Sequence, residues 1–266
     1  MQVYLKDRKA LAFFYREANP QFWDEHWQME SLRDHILSCT SDGFFVPVVK
    51  KYLPLGSTVL EGGCGRAHLV HALAHQGYKA IGVDIARETV RKINEAVPDL
   101  DVRFGDVRSL PIESSELDGY LSLGVIEHYW EGYRGILAEM RRTVKNGGFL
   151  FVSFPQISAL RHLKVKTRMY SVSSSQELED HRGSFYQFAF NWRQVSQDFQ
   201  SFGFDLIEKR QFDGIKGLKD EIAFLKPFLQ PIYDGKKCRR IRIYLDTILR
   251  KFTSHCYLLV MQKSES

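Results

Sequence analysis

The stretch that most constrains this chain runs from Thr58 to Ile85, TVLEGGCGRAHLVHALAHQGYKAIGVDI. Thr58-Val59-Leu60 reads as a short apolar strand, and Glu61-Gly62-Gly63-Cys64-Gly65-Arg66-Ala67 reads as a turn. Leu69, Val70, Leu73 and Ala74 then recur at helical spacing, and a second apolar strand, Ala80 to Val83, ends in Asp84. Glycines let the backbone take positive φ and let a ligand come close. The helix that follows offers free N–H groups at its start, which favours a polar or anionic group there. An acid at the end of the second strand, about 20 residues past the turn, can accept from the hydroxyls of a ribose. The unit reads as a site for a nucleoside cofactor. The bland alternative is a tight strand-to-helix turn with no ligand.

The turn discriminates between cofactors. A dinucleotide fingerprint needs G-x-G-x-x-G; Gly63 and Gly65 fit it, but the third position is His68. Glu61, at the strand end, would repel a pyrophosphate and suits a cationic α-amino group. The pattern resembles the first motif of the class I S-adenosylmethionine methyltransferases, E/D-x-G-x-G-x-G, with Ala67 where the last glycine is usual. The resemblance runs motif by motif from Val46 to Val152 and by element order elsewhere. It implies that Glu61, Gly62, Gly63 and Gly65 surround the amino end of the cofactor, and that Asp84 and Ile85 meet its ribose. Asp106, after the short strand Asp101–Phe104, would accept from the adenine amino group with Val107 against the base; Asp106 as a plain strand-end turn acid is the alternative. Leu123 completes the cofactor-binding set.

The run Leu117 to Val125 is nearly continuously apolar, which suits a parallel strand buried on both faces. It opens into Ile126-Glu127-His128-Tyr129, so LSLGVIEHY resembles the fourth motif of the small-molecule methyltransferases. Ligands of doubly wound sheets sit beyond the carboxyl ends of the strands, which turns His128 toward the reacting centre. A histidine neutral near pH 7 suits a general base, and His128 is the candidate; shaping the pocket is the competing role. Trp23, Glu127, Tyr129 and Arg161 are candidate substrate contacts. No metal-ligand cluster stands out, so metal-independent transfer is expected.

The 266 residues can build one sizeable core, and 44% apolar with 26% charged residues is ordinary for a soluble globular protein. No apolar run is long enough to span a bilayer, and the first twenty residues lack the core of a signal peptide. Cys39, Cys64, Cys238 and Cys256 lack C-x-x-C spacing, which argues against zinc and a disulfide framework and fits a reducing cytoplasm. Of the net charge of +5, the segment Ile215–Phe252 supplies an excess of +6, from ten Lys/Arg and four Asp/Glu. The basic character is local.

The spacing predicts helices over Val3–Ala18, Ser31–Ser38, Phe45–Tyr52 and Ala86–Val97. Phe22, Trp23 and Trp27 either wall the pocket or pin these leading helices; the second reading is favoured for Trp23 and Trp27. Tyr133 to Val144 is amphipathic, Asn146-Gly147-Gly148 should cap it, and Phe149 to Phe154 is the next strand. After a Ser-rich, basic segment, Asn191 should cap a helix to Phe202, followed by strands Phe204–Phe212 and His255–Gln262. Between them lie helical patterns over Leu218–Phe224 and Arg239–Phe252. In the second, Ile241, Leu245, Ile248 and Phe252 form a stripe expected to pack on the core, with alternatives of covering an anionic substrate or resting on an anionic membrane.

The expected fold is α/β: a Rossmann-like doubly wound sheet of about seven strands, mostly parallel with an antiparallel last strand, with N-terminal helices and a helical insertion before that strand. One domain over 1–266 is expected, with a helical cap (1–57), cofactor core (58–155), lid-like insertion (156–186) and basic helical insertion (213–254). The expected activity is methyl transfer from S-adenosylmethionine, giving S-adenosylhomocysteine, most readily O-methylation of a polar small molecule or sugar-containing intermediate. A lipid or quinone acceptor at the membrane surface, through peripheral contact over 239–252, comes next. No nucleic-acid module is visible. An NAD(P)-dependent oxidoreductase and a non-catalytic S-adenosylmethionine-binding regulator are the readings from other classes; oligomeric state is left open.

Overall fold

A computed structural model describes residues 1–235 and 239–265. In chain order the elements are β1 (Gln2–Leu5), β2 (Ala10–Phe14), α1 (Pro20–His26), α2 (Leu32–Ser38), α3 (Phe45–Tyr52), β3 (Thr58–Gly62), α4 (His68–His75), β4 (Lys79–Asp84), α5 (Arg87–Ala96), β5 (Val102–Phe104) and β6 (Leu117–Leu123). A short 3₁₀ turn, Ile126–His128, precedes α6 (Arg134–Thr143), β7 (Val144–Pro155), α7 (Ala159–Lys166), β8 (Ser171–Ser173), β9 (Phe185–Ala189) and α8 (Trp192–Ser201). The chain ends with β10 (Phe204–Phe212), α9 (Gly214–Glu221), α10 (Lys226–Asp234), α11 (Arg239–Thr253) and β11 (Cys256–Lys263).

A seven-stranded sheet has the order β10-β11-β7-β6-β3-β4-β5. β3 pairs in parallel with β4 and β6, and β4 with β5, the arrangement that strand–helix–strand alternation requires. β11 is antiparallel to β7: the Gln262 side chain donates to the Gly147 carbonyl, and nine residues past Gly147, just beyond the end of β7, the Gln156 N–H donates to the His255 carbonyl. The expected doubly wound sheet of seven strands with an antiparallel close is therefore present.

The chain forms two compact units, each discontinuous in sequence. The first to be considered comprises residues 18–152, 198–207 and 260–266. Its core is apolar on both faces of β3 and β6, with Val59, Leu60, Leu117, Tyr120 and Leu121 buried. Helices α2, α3 and α5 lie where the periodicity places them. The helix before β7 is shorter than expected. It stops at Thr143, and β7 begins at Val144 and runs through Asn146-Gly147-Gly148, so those residues lie within the strand and do not cap the helix.

The second unit comprises residues 1–17, 153–197 and 208–259. Here the helix expected over Val3–Ala18 is corrected. Gln2–Leu5 and Ala10–Phe14 form an antiparallel hairpin, with Leu5 opposite Ala10 and Gln2 opposite Phe13. Short apolar runs fit either period, and the decision is tertiary. β8 adds to β1 and β9 to β2, giving a four-stranded sheet β8-β1-β2-β9 whose pairing partners come from residues far along the chain. Leu11, Ile157, Tyr170 and Ala189 form its core cluster, with Tyr4, Phe13 and Val165 against them.

The amphipathic stripe of α11 also needs correction. Of the residues expected to pack on the core, Ile241 is 54% exposed, Ile248 56% and Phe252 49%, while Leu245 is half-buried; Tyr244 beside them is 66% exposed. The side packed on α9 is the one carrying Arg242, Asp246 and Thr253: the Ile215 N–H donates to Asp246 at 3.2 Å and the Thr253 hydroxyl to the Gly214 carbonyl at 2.8 Å. Gly214 and Gly217 let this happen, because a Cβ on either would strike the α11 backbone. Small residues, and not the apolar stripe, set the contact. Among the described residues no helix is long and apolar enough to cross a membrane.

Candidate active site

The site belongs to the unit that holds β3, β4 and β6. Glu61 and Gly62 end β3, and the turn to α4 passes through three residues of positive φ: Gly63 at 77°, Gly65 at 51° and Ala67 at 56°. The left-handed conformation that a glycine would adopt freely is thus kept at Ala67 in spite of its Cβ. The turn is tied to β4. The Gly63 N–H donates to the Val83 carbonyl at 2.7 Å, and the Gly65 N–H donates to Asp84 Oδ2, also at 2.7 Å. The other oxygen of Asp84 accepts from the Ala86 N–H at 2.9 Å. Asp84 is therefore anchored by two backbone donors and keeps further lone pairs for a ligand.

Glu61 is buried, and its Oε2 has no hydrogen-bond partner among the described residues. Burial first, then the nearby Asp84 and Asp42 carboxylates, push its pKa up to about 8. Asp84 is raised as well, by burial and by Asp24, in spite of its backbone donors. Four acids thus bear on one small region, and a buried carboxyl among them lacks a counter-charge. An arrangement like this favours a cationic ligand and opposes a pyrophosphate.

Asp106 behaves differently. Burial alone would raise it, but its pair with Arg108 (Nη2 to Oδ2, 2.6 Å) and the Arg108 N–H hold it below the usual carboxylate range. The Arg108 guanidinium lies 5.1 Å from the centre of the Tyr129 ring. Val107 is buried, while Ile85 and Leu123 are half-buried. At the end of β6, Glu127 is buried with Oε2 unpartnered among the described residues, and burial pushes it up to about 8. The His128 ring meets Trp23 edge-on at 4.8 Å, and Trp23 stacks on Trp27 at 5.8 Å. Burial raises the Tyr129 phenol.

Trp27, expected either to wall the pocket or to pin the leading helices, joins this region together with residues the sequence did not single out. A Cβ on Gly65 would lie 2.9 Å from the Trp27 indole, so Trp27 lies directly on the glycine turn. Arg66 holds it there, with Nε donating to the Trp27 carbonyl at 3.2 Å and the guanidinium 5.6 Å from its ring. Asp24 accepts from the Thr89 N–H and hydroxyl at 2.8 and 3.0 Å, tying α1 to α5. Asp42 accepts from the Phe44 N–H at 2.8 Å and from the Phe45 N–H at the start of α3. The Ser41-Asp42-Gly43 turn before an apolar run was the signal for that cap. Trp27 gave none beyond its aromatic neighbours. Arg161 lies elsewhere: it is 1% exposed within the other unit, with Nε on Glu221 at 2.7 Å and Nη1 on the Gln156 carbonyl at 2.6 Å. Lys164 and the Tyr170 hydroxyl hold the same carboxylate. Internal partners occupy this guanidinium, which corrects the expected substrate contact.

Residues 60–152 match the methyltransferase domain family. Over 100 residues the chain is 32% identical to a probable S-adenosylmethionine-dependent methyltransferase of Mycolicibacterium smegmatis, covering 38% of each protein. Residues 60–152 thus carry a methyltransferase domain similar to those of class I S-adenosylmethionine-dependent methyltransferases. A ubiquinone biosynthesis O-methyltransferase of Paracidovorax citrulli is 29% identical over 104 residues, 37% of this chain and 43% of that protein. The chain thus spans less than half the length of these two relatives. Geranyl diphosphate C-methyltransferase from Streptomyces coelicolor A3(2) shares the fold at a TM-score of 0.57 and 12% identity, over 93% of this chain and 99% of that one. Within the matched residues, Glu61 ends β3 with one carboxyl oxygen unpartnered, and Asp84 stands at the end of the neighbouring strand β4.

Proposed function

We propose that the protein transfers a methyl group from S-adenosylmethionine to a small-molecule acceptor, without a metal. The observation that carries this reading is Glu61, a buried acid among acids with one oxygen unpartnered. S-adenosylmethionine supplies a methyl group already activated on a sulfonium, so the protein's main task is to orient an acceptor. Glu61 would accept from the cofactor's amino group, with Gly62, Gly63 and Gly65 close by. Asp84 would accept from the ribose with Ile85 beside it, and Asp106 from the adenine amino group, with Val107 and Leu123 as apolar walls. For an oxygen acceptor, His128 would take the proton, and Trp23, Glu127 and Tyr129 would contact the substrate.

The acceptor we favour is a polar small molecule or sugar-containing intermediate. A second reading, a lipid or quinone acceptor, gains support from the outward-facing apolar stripe of α11 and from the relation to ubiquinone biosynthesis O-methyltransferases. Calorimetric titration of the purified protein with S-adenosylmethionine, S-adenosylhomocysteine and NADH is the test. Micromolar binding of the first two, lost in Asp84→Ala, is expected; binding of NADH alone would replace this reading with an oxidoreductase. Binding without turnover across O-, N- and C-acceptors would leave a regulator.

A further inference from the structure

The excess of positive charge between Ile215 and Phe252 has no part in the site above, and α11 shows where it goes. Ile241, Tyr244, Ile248 and Phe252 recur at i, i+3, i+7 and i+11, which at 100° per residue confines them to a stripe about 80° wide. All four are about half exposed or more. Arg240 and Lys251, both exposed, fall beside the Tyr244 edge of the stripe. Phe224 and Phe228, one turn apart just before and within α10, are exposed too, at 73% and 71%. Seven of the seventeen exposed large apolar residues among those described fall between 224 and 252: these six and Ile243, which lies off the stripe. Isolated exposed apolar side chains are normal; a periodic stripe on one helix is not.

We infer that α11, with Phe224 and Phe228 of the adjoining segment, is a docking surface for an anionic lipid bilayer. The charge decides the occupant. α11 carries five Lys/Arg and the single acid Asp246; Arg242 and Asp246 lie on the side that contacts α9, and Arg240 and Lys251 are exposed beside the stripe with no acid next to them on α11. A helix lying in the headgroup layer needs an apolar face to bury and cations alongside it to meet lipid phosphates. A stripe this narrow, edged by exposed cations, meets both needs. The packing of α11 on α9 through glycines and polar contacts leaves the face available without remodelling the helix pair. The inference does not depend on methyl transfer, since it rests on a different unit of the chain.

The test is co-sedimentation of the 266-residue chain with vesicles of phosphatidylcholine alone and of phosphatidylcholine with an equal amount of phosphatidylglycerol. Binding to the mixed vesicles is expected to exceed that to the neutral ones by roughly fivefold for each of Arg240 and Lys251, about 25-fold together, and to weaken with salt. Arg240→Gln with Lys251→Gln should remove that preference. Ile241→Ser, Ile248→Ser and Phe252→Ser together should abolish binding at unchanged melting temperature, because the three side chains are exposed. Equal binding to both vesicles, or to neither, would overturn the inference. So would a concentration-dependent dimer, in the absence of lipid, that the serine variant loses, since the occupant would then be a second copy. Calorimetric binding of S-adenosylmethionine by the same preparations reads the cofactor site separately.

Discussion

If Glu61 is the counter-charge for the cofactor's amino group, binding must ionise it. In the ligand-free protein its pKa is pushed up to about 8, chiefly by burial and then by Asp84 and Asp42. At pH 7 such a group is protonated in roughly nine molecules of ten. A cationic partner stabilises the carboxylate and brings the pKa down, so binding at pH 7 should release about 0.9 proton from this residue. Between pH 6 and pH 7 the affinity should rise close to tenfold, since one unit corresponds to about 1.4 kcal/mol. Above pH 8 the gain ends, because Glu61 is then already ionised. The assay is titration with S-adenosylhomocysteine in two buffers of different ionisation enthalpy, which separates proton release from intrinsic heat. Glu61→Gln is close in shape and cannot ionise; it should weaken binding and abolish the release. A wild-type protein that releases no proton, or a Gln variant that releases as much, would refute the assignment of Glu61 as counter-charge.

Glu127 is raised to about 8 by burial from a reference of 4.5, so its neutral form favours the fold at low pH and that contribution is lost as pH climbs to 8. Glu127→Gln should therefore melt close to wild type near pH 5 and higher at pH 9, by an amount corresponding to a few kcal/mol; an unchanged gap across that range would count against it. Ala67→Gly should stay within about 0.5 kcal/mol of wild type in urea melts, because relief of the left-handed conformation is offset by lost methyl burial and by glycine's chain entropy. Gly65→Ala should be strongly destabilising or abolish cofactor binding, and Trp27→Ala in the same chain should restore part of it, since the added Cβ would meet the indole at 2.9 Å. Arg161→Met should cost about 3 kcal/mol in a denaturant melt by breaking its buried pair with Glu221, at unchanged cofactor affinity. His128→Asn should lower kcat with an O-acceptor more than the affinity for S-adenosylhomocysteine, and a chelator should leave the rate unchanged.

The elements legible in the sequence share one property: their neighbours are close in the chain. β3, the turn, α4 and β4 fold on each other, so glycine placement and apolar runs were enough to locate them, whereas the start of β7, which pairs with β11 over a hundred residues on, was misplaced by the glycines within it. Residues 2–14 were misread for the opposite reason. Val3, Tyr4, Leu5, Leu11 and Phe13 suit a helix in isolation, and the strands that decide the matter arrive at 171–189. Arg161 stood out as a basic residue in a polar stretch, while its partner Glu221 lies sixty residues on, in a segment whose helical pattern and net positive charge do not single it out.

The stripe of α11 teaches the sharper lesson. Periodicity reports that a helix has an apolar face, and says nothing of where that face points. In α5 and α6 the apolar side is buried, with Ile93 and Met140 at its centre. In α11 the same pattern faces out, because Gly214 and Gly217 on α9 admit the α11 backbone so closely that the contact is made by main chain, Thr253 and Asp246. The information that reverses the helix thus sits in two glycines some thirty residues before it. The same reasoning separates the two kinds of glycine in this chain. Those near 214 fix a helix against its neighbour, whereas Gly65 admits Trp27 to the turn where Asp84 and Glu61 converge. Substituting either kind disturbs packing, but only the second should change the proton released when the cofactor binds.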